Sequence, residues 1–147
     1  MIPEMVDIGG SWEVLPSGLH DATLIEVEER FATNQFRRHL FKGLRNACNA
    51  LRKAGCKVVY IDGSFVSNKP KPNDFDVCWD PIGVDANKLD LVFFEFKDSR
   101  SSQKRKYFGE FFPSSALADG IAPYVDYFQK DKETGEKKGI VRVLLSK

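Results

Sequence analysis

The chain has 147 residues, 42% hydrophobic and 29% charged, which are values of an ordinary folded domain and exclude a disordered polyelectrolyte or a membrane-embedded bundle. A formal net charge of +1 excludes a histone-like polycation, while leaving room for a local basic patch. No stretch reaches the roughly 20 apolar residues of a membrane span, and Met1-Ile2-Pro3-Glu4 lacks a signal-peptide pattern, so a cytoplasmic protein without membrane contact is expected.

Residues 1–20, with Gly9-Gly10, Pro16 and Gly18, read as an N-terminal arm anchored by Trp12, Val14 and Leu15 over a single domain of residues 21–147. A short helix is expected from Asp21, with Leu24, Val27 and Phe31 on one side. Asn34 suits the cap of a longer helix to about Ala54, because Phe36, Leu40, Leu44, Ala47 and Leu51 recur at helical steps and Gly55 stops it. Arg37, Arg38, Lys42, Arg45 and Arg52 fall elsewhere around that helix and read as a solvated face. Cys48, Cys56 and Cys78 have no Cys-x-x-Cys spacing and read as reduced packing residues, and His20 and His39 have no partner at zinc-ligand spacing.

The β-branched run Lys57 to Asp62 predicts a buried strand ending at Gly63-Ser64, and a connection rich in proline and lysine leads to a second strand from Asp74 to Trp79. Leu89, Val92, Phe93 and Phe96 predict a helix over about residues 87–96, with the polar stretch to Tyr107 continuing it or forming a loop. The aromatic segment from Tyr107 to Phe112 reads as core or a docking surface. Residues 123–129 and 139–145 read as strands of an antiparallel hairpin across the polar turn Asp131 to Lys138. The expected class is α/β in the α+β sense, a mixed sheet of about four strands with helices packed on it.

Chemistry concentrates at two short motifs. Asp74 and Asp76, two apart on a strand, project to one face about 6.5–7 Å apart along it, while Phe75 and Val77 project to the other. Their all-oxygen donor set suits magnesium or manganese better than zinc. Ten residues upstream, Gly63-Ser64 ends a strand and offers backbone amides and a hydroxyl to anionic oxygens.

An apolar strand ending Ile61-Asp62-Gly63-Ser64, nine intervening residues, then Asp74-Phe75-Asp76-Val77 resembles the signature of the DNA polymerase beta-like nucleotidyltransferase superfamily, in particular its small members. The resemblance implies that Gly63 and Ser64 bind nucleotide phosphates, that Asp74 and Asp76 hold metal, and that a third carboxylate on a later strand completes the catalytic site. Asp126, in the strand-like run Tyr124 to Phe128, is the first choice for that acid, and Glu95 the second. Many small members continue after Gly-Ser with Ala-Arg-Gly; this chain has Phe65-Val66-Ser67-Asn68-Lys69-Pro70-Lys71-Pro72, so Lys69 and Lys71 stand in for the missing arginine at the nucleotide. Lys104, Arg105 and Lys106 are further basic candidates.

The function implied is a metal-dependent nucleotidyltransferase moving a nucleoside monophosphate from a nucleoside triphosphate to a hydroxyl of RNA, protein or a small molecule. The alternative is a non-catalytic or regulatory module of the same fold, such as a toxin–antitoxin or phage-defence component acting through a protein partner.

Overall fold

In the computed structural model, which describes residues 1–145 and so leaves the last two residues of the expected domain outside it, the β-branched run after Gly55 forms strand β2 (Val58–Asp62). Its alternation assigns the faces of the sheet: Val59 and Ile61 are buried on one side, while Val58 and Tyr60 are only partly buried on the other. β2 is central, antiparallel to β3 (Asp76–Trp79) and to β5 (Gly139–Leu144). β1 (Gly18–Ala22) joins parallel to β5, and β4 (Glu110–Pro113) parallel to β3, giving the order β1-β5-β2-β3-β4.

The three longer helices cover one face. Thr23 opens α1 (Leu24–Phe31) with a capping box, its hydroxyl accepting from the Glu26 amide while the Glu26 carboxylate accepts from the Thr23 amide. Asn34 caps α2 (Gln35–Lys53) as its sequence position suggests. Val27 and Phe31 of α1, and Leu40, Leu44, Ala47 and Leu51 of α2, pack on Val59, Ile61, Val77, Phe111 and Val143 of the sheet in the main core. Phe36, expected with them, is 44% exposed. The opposite face carries a smaller cluster of Cys78, Phe112, Phe128 and Ile140. All three cysteines are free and buried. Among the described residues no helix is long and apolar enough to cross a membrane.

Behind α2 lies α3 (Lys97–Tyr107), and a Cβ on Gly43 would run into the Tyr107 carbonyl and the Phe108 ring. Gly43→Ala is therefore expected to destabilise the fold by about 1–3 kcal/mol, through overpacking against backbone that cannot move alone. Thermal denaturation should show a Tm lower by roughly 3–10 °C.

Several sequence expectations are corrected. Asp21 does not open α1; it lies in β1, where its carboxylate accepts from Nε and Nη2 of Arg142 at 2.6 and 3.0 Å. The arm thus passes into the sheet at Gly18 rather than ending at residue 20. Residues 87–96 form only a 3-10 turn, Leu91–Phe94, which starts at Asp90, whose carboxylate caps it by accepting from the Val92 amide. Residues 123–129 are not a strand: Tyr124–Tyr127 is the short helix α4. The aromatic residues there have a helical use, Tyr124, Tyr127 and Phe128 meeting one another at three- and four-residue spacing and Phe128 packing on Phe112 of β4. The hairpin accordingly reduces to one bridge, Lys130 to Lys137, and β5 takes β1 and β2 as neighbours.

Candidate active site

Strand register builds the site. Asp62 of β2 pairs with Asp76 of β3, and Asp76 pairs with Glu110 of β4. Residues paired across strands project to the same face, and strands lie about 4.8 Å apart, so three carboxyl groups stand in a row at the end where the chain leaves β2. Asp74, just before β3, adds its charge to the group.

Burial, and then the charges of Asp62, Asp74 and Glu110, push Asp76 up to about 8. Asp62 and Asp74 are raised too, by burial first. Two lysines answer part of this charge. Lys104 Nζ of α3 lies 2.8 Å from Glu110 Oε1. Lys138 Nζ lies 3.1 Å from Asp62 Oδ1, an ion pair too poorly aligned to fill the hydrogen-bond capacity of that buried oxygen.

Gly63 turns the chain at the end of β2 with φ of +91°, a left-handed conformation that favours glycine. A Cβ there would also lie 3.2 Å from both the amide and Oδ2 of Asp76, so the turn and the acid are in close approach. Ser64 begins a 3-10 turn, Ser64–Val66, whose end is tied back by Ser67 Oγ donating to the Ser64 carbonyl at 2.6 Å.

The loop beyond is held by Arg37, which the sequence places on a solvated face and the structure buries to 4% exposure. Its guanidinium donates five hydrogen bonds to the carbonyls of Phe31, Phe65, Ser67 and Lys69. The residue escapes a helical-wheel reading because its role is set by a loop some 30 positions away. An arginine thus reaches the loop after Gly-Ser from α2, with its donors on backbone carbonyls.

Two clefts meet at Asp76 and Lys132. The first, about 260 Å³, lies among Gly63, Ser64, Asp62, Asp76, Trp12 of the arm, and Lys130, Lys132 and Lys138 of the loop before β5. The second, about 300 Å³, is bounded by Asp76, Glu110, Arg100, Phe112, Tyr124 and Tyr127. Arg100 closes a left-handed run, Asp98 to Arg100, inside α3 and stacks its guanidinium 4.0 Å from the centre of the Phe112 ring.

The expected site residues therefore divide. Gly63, Ser64 and Asp76 come together, with Asp74 beside them. Asp126 does not join them; on α4 it is exposed and lines separate clefts with Gln129 and Lys130 on one side and Asp119 on the other. Glu95 is exposed at the end of the 3-10 turn. Lys69 and Lys71 line neither cleft at Asp76; Lys71 borders a groove with Phe36 and His39. Arg105 bonds Ser102 and Lys106 pairs with Asp90, so of that basic trio only Lys104 reaches the acids.

Sequence reading missed Glu110, Asp62 and the lysines at 130, 132 and 138. Glu110 had a usable signal: it opens the short aromatic run Glu110-Phe111-Phe112 bounded by Gly109 and Pro113, a composition that suits a short strand. Asp74, Asp76 and Glu110 offer carboxylate oxygen alone and repel one another, a donor set that fits a hard divalent cation. Among the described residues no three such side chains stand close enough together to hold a metal ion as they are placed.

Residues 9–144 match a family of unknown function, DUF6932. The chain belongs to this family. The match begins in the arm and takes in every strand and helix described above. No curated protein and no solved structure matches the chain.

Proposed function

We propose that this DUF6932 protein is a metal-dependent nucleotidyltransferase of the DNA polymerase beta-like kind, moving a nucleoside monophosphate from a nucleoside triphosphate to a hydroxyl of RNA, protein or a small molecule. The observation that carries this reading is the register Asp62–Asp76–Glu110 beside the Gly63-Ser64 turn, with Asp62 and Asp76 facing a cleft that also collects three lysines.

In this reading Gly63, Ser64, Lys130 and Lys132 hold the triphosphate oxygens in the first cleft, and the acceptor hydroxyl enters by the second. The hydroxyl oxygen bonds to the α-phosphorus, the bond to the leaving pyrophosphate breaks, and Glu110 takes the hydroxyl proton as Lys104 shifts off it. Asp74, Asp76 and Glu110 would hold a divalent cation, which supplies charge neutralisation for the acids and the phosphates. Lys138 pairs with Asp62 behind them and offsets part of the cost of burying its charge.

Incubation with α-labelled nucleoside triphosphates, magnesium or manganese, and cell extract is expected to label a product. Asp74→Ala and Glu110→Ala should abolish the label, and Asp126→Ala should leave it. Equal labelling by the first two variants would remove the enzymatic reading.

One observation favours the second reading, a regulatory module working through a protein partner: Lys104 already pairs with Glu110. A stoichiometric partner in a pull-down, with no nucleotide binding by calorimetry, would select it.

A further inference from the structure

The phosphate and metal ends of the proposed site are built from the sheet and the loop before β5; the arm brings an aromatic ring to the same cleft. Ser11 donates to Glu133 through its amide and its hydroxyl, at 3.0 and 2.8 Å. On the other side, the Glu13 amide donates to Asn68 Oδ1 at 2.8 Å, and the Asn68 amide donates to the Glu13 carbonyl at 3.2 Å. Val14 then bridges both Val6 and Ser67. Trp12 sits between these two fastenings, so its backbone is held on both sides while its side chain remains 42% exposed and lines the first cleft.

That combination is unusual for a residue whose burial is its main contribution to stability. The second tryptophan, Trp79, is 3% exposed in the core. The acids of the same loop are already engaged, Glu133 by Ser11 and Asp131 by the amide and hydroxyl of Thr134. What the cleft presents, beside the Asp62 and Asp76 carboxyls, is the amines of Lys130 and Lys132 and the donors of the Gly63-Ser64 turn, with a pinned aromatic residue next to them. Phosphate oxygens match the first two and a planar heterocycle matches the third.

We infer that Trp12 is the platform on which the base of the nucleotide stacks, so that the ligand of this cleft is a nucleoside triphosphate in preference to a bare polyphosphate. The inference rests on the nucleotide site proposed above. Because every base has a π face and no base-edge partner is needed, the platform accepts all four bases with similar affinity.

Full-length protein is titrated with ATP, GTP, CTP, UTP and inorganic triphosphate, each with magnesium, following tryptophan fluorescence and calorimetry. Each nucleotide should quench fluorescence and triphosphate should not. Trp12→Ala should weaken nucleotide binding about tenfold and leave triphosphate binding unchanged. Trp12→Phe should keep the affinity within a few-fold and lose the quenching. Nucleotide binding as tight in Trp12→Ala as in the unmodified protein would overturn the platform and leave the transferase reading standing. Absence of both nucleotide and triphosphate binding in the unmodified protein would overturn both. Trp12 lies on the surface, so unchanged thermal melting of the variants serves as the folding control.

Discussion

Asp76→Asn is expected to lower nucleotidyl transfer by about a thousandfold or more and, at the same time, to raise the stability of the metal-free protein. The two effects have one origin. Asp76 is the carboxyl at which β2, β3 and β4 converge, and burial with three acidic neighbours drives it from the ordinary 3.8 to about 8. An amide keeps the shape and removes the repulsion, but cannot help hold a cation.

The pH dependence follows from the direction of the shift. At pH below about 4 the group is protonated in both folded and unfolded chains and contributes no penalty. As pH rises from the unfolded value through the folded one, the unfolded chain gives up its proton while the folded chain retains it, so stability is lost over the window from 3.8 to about 8. Asp62 and Asp74, also raised, act in the same sense. The lowered carboxyls Asp21, Glu26, Asp90 and Asp119 act in the opposite sense, but at pH values below the ordinary carboxylate range. Tm of the metal-free protein should therefore fall between about pH 4 and pH 8, less steeply in Asp76→Asn. Added magnesium or manganese should restore more at the upper end than at the lower. A Tm that is level across that window in the unmodified protein would contradict the acid row.

The second large effect is expected at Arg37. Arg37→Met should destabilise the protein by about 3–5 kcal/mol, because four carbonyls lose a charged donor, those of Phe31, Phe65 and Ser67 in buried surroundings. Arg37→Lys should recover little of this, since one ammonium cannot span carbonyls that a planar fork reaches at five points. Urea denaturation gives the size of the loss. Binding of triphosphate below the melting temperature should also weaken, because the loop tied by Arg37 carries the Ser64–Val66 turn. A loss under about 1 kcal/mol would show that the carbonyls find other donors.

Local chemistry made part of this molecule legible from sequence. α2 with its Asn34 cap, β2, the turn at Gly63 and most of β3 and β5 depend on periodicity, capping and breaker residues within a few positions, and they appear where those signals put them. The separation of Asp76 from Phe75 and Val77 is equally local, a matter of strand alternation. The aromatic run at 124–128 reads as a strand, because its rings suit a strand face as well as one turn of helix; the structure makes it a helix, with Phe128 packed on Phe112.

The amino-acid sequence by itself thus determined the mixed α and β elements and the pairing of Gly63-Ser64 with an acidic strand. Tertiary structure alone decided which acid stands beside Asp76, since Glu110 reaches it through a parallel strand pairing across 34 residues, and which lysines face the turn, since Lys130, Lys132 and Lys138 come from a loop nearly half the chain away. The physical reason is that backbone propensity acts over a few residues, whereas register between strands and burial of charge are settled only when the whole sheet closes.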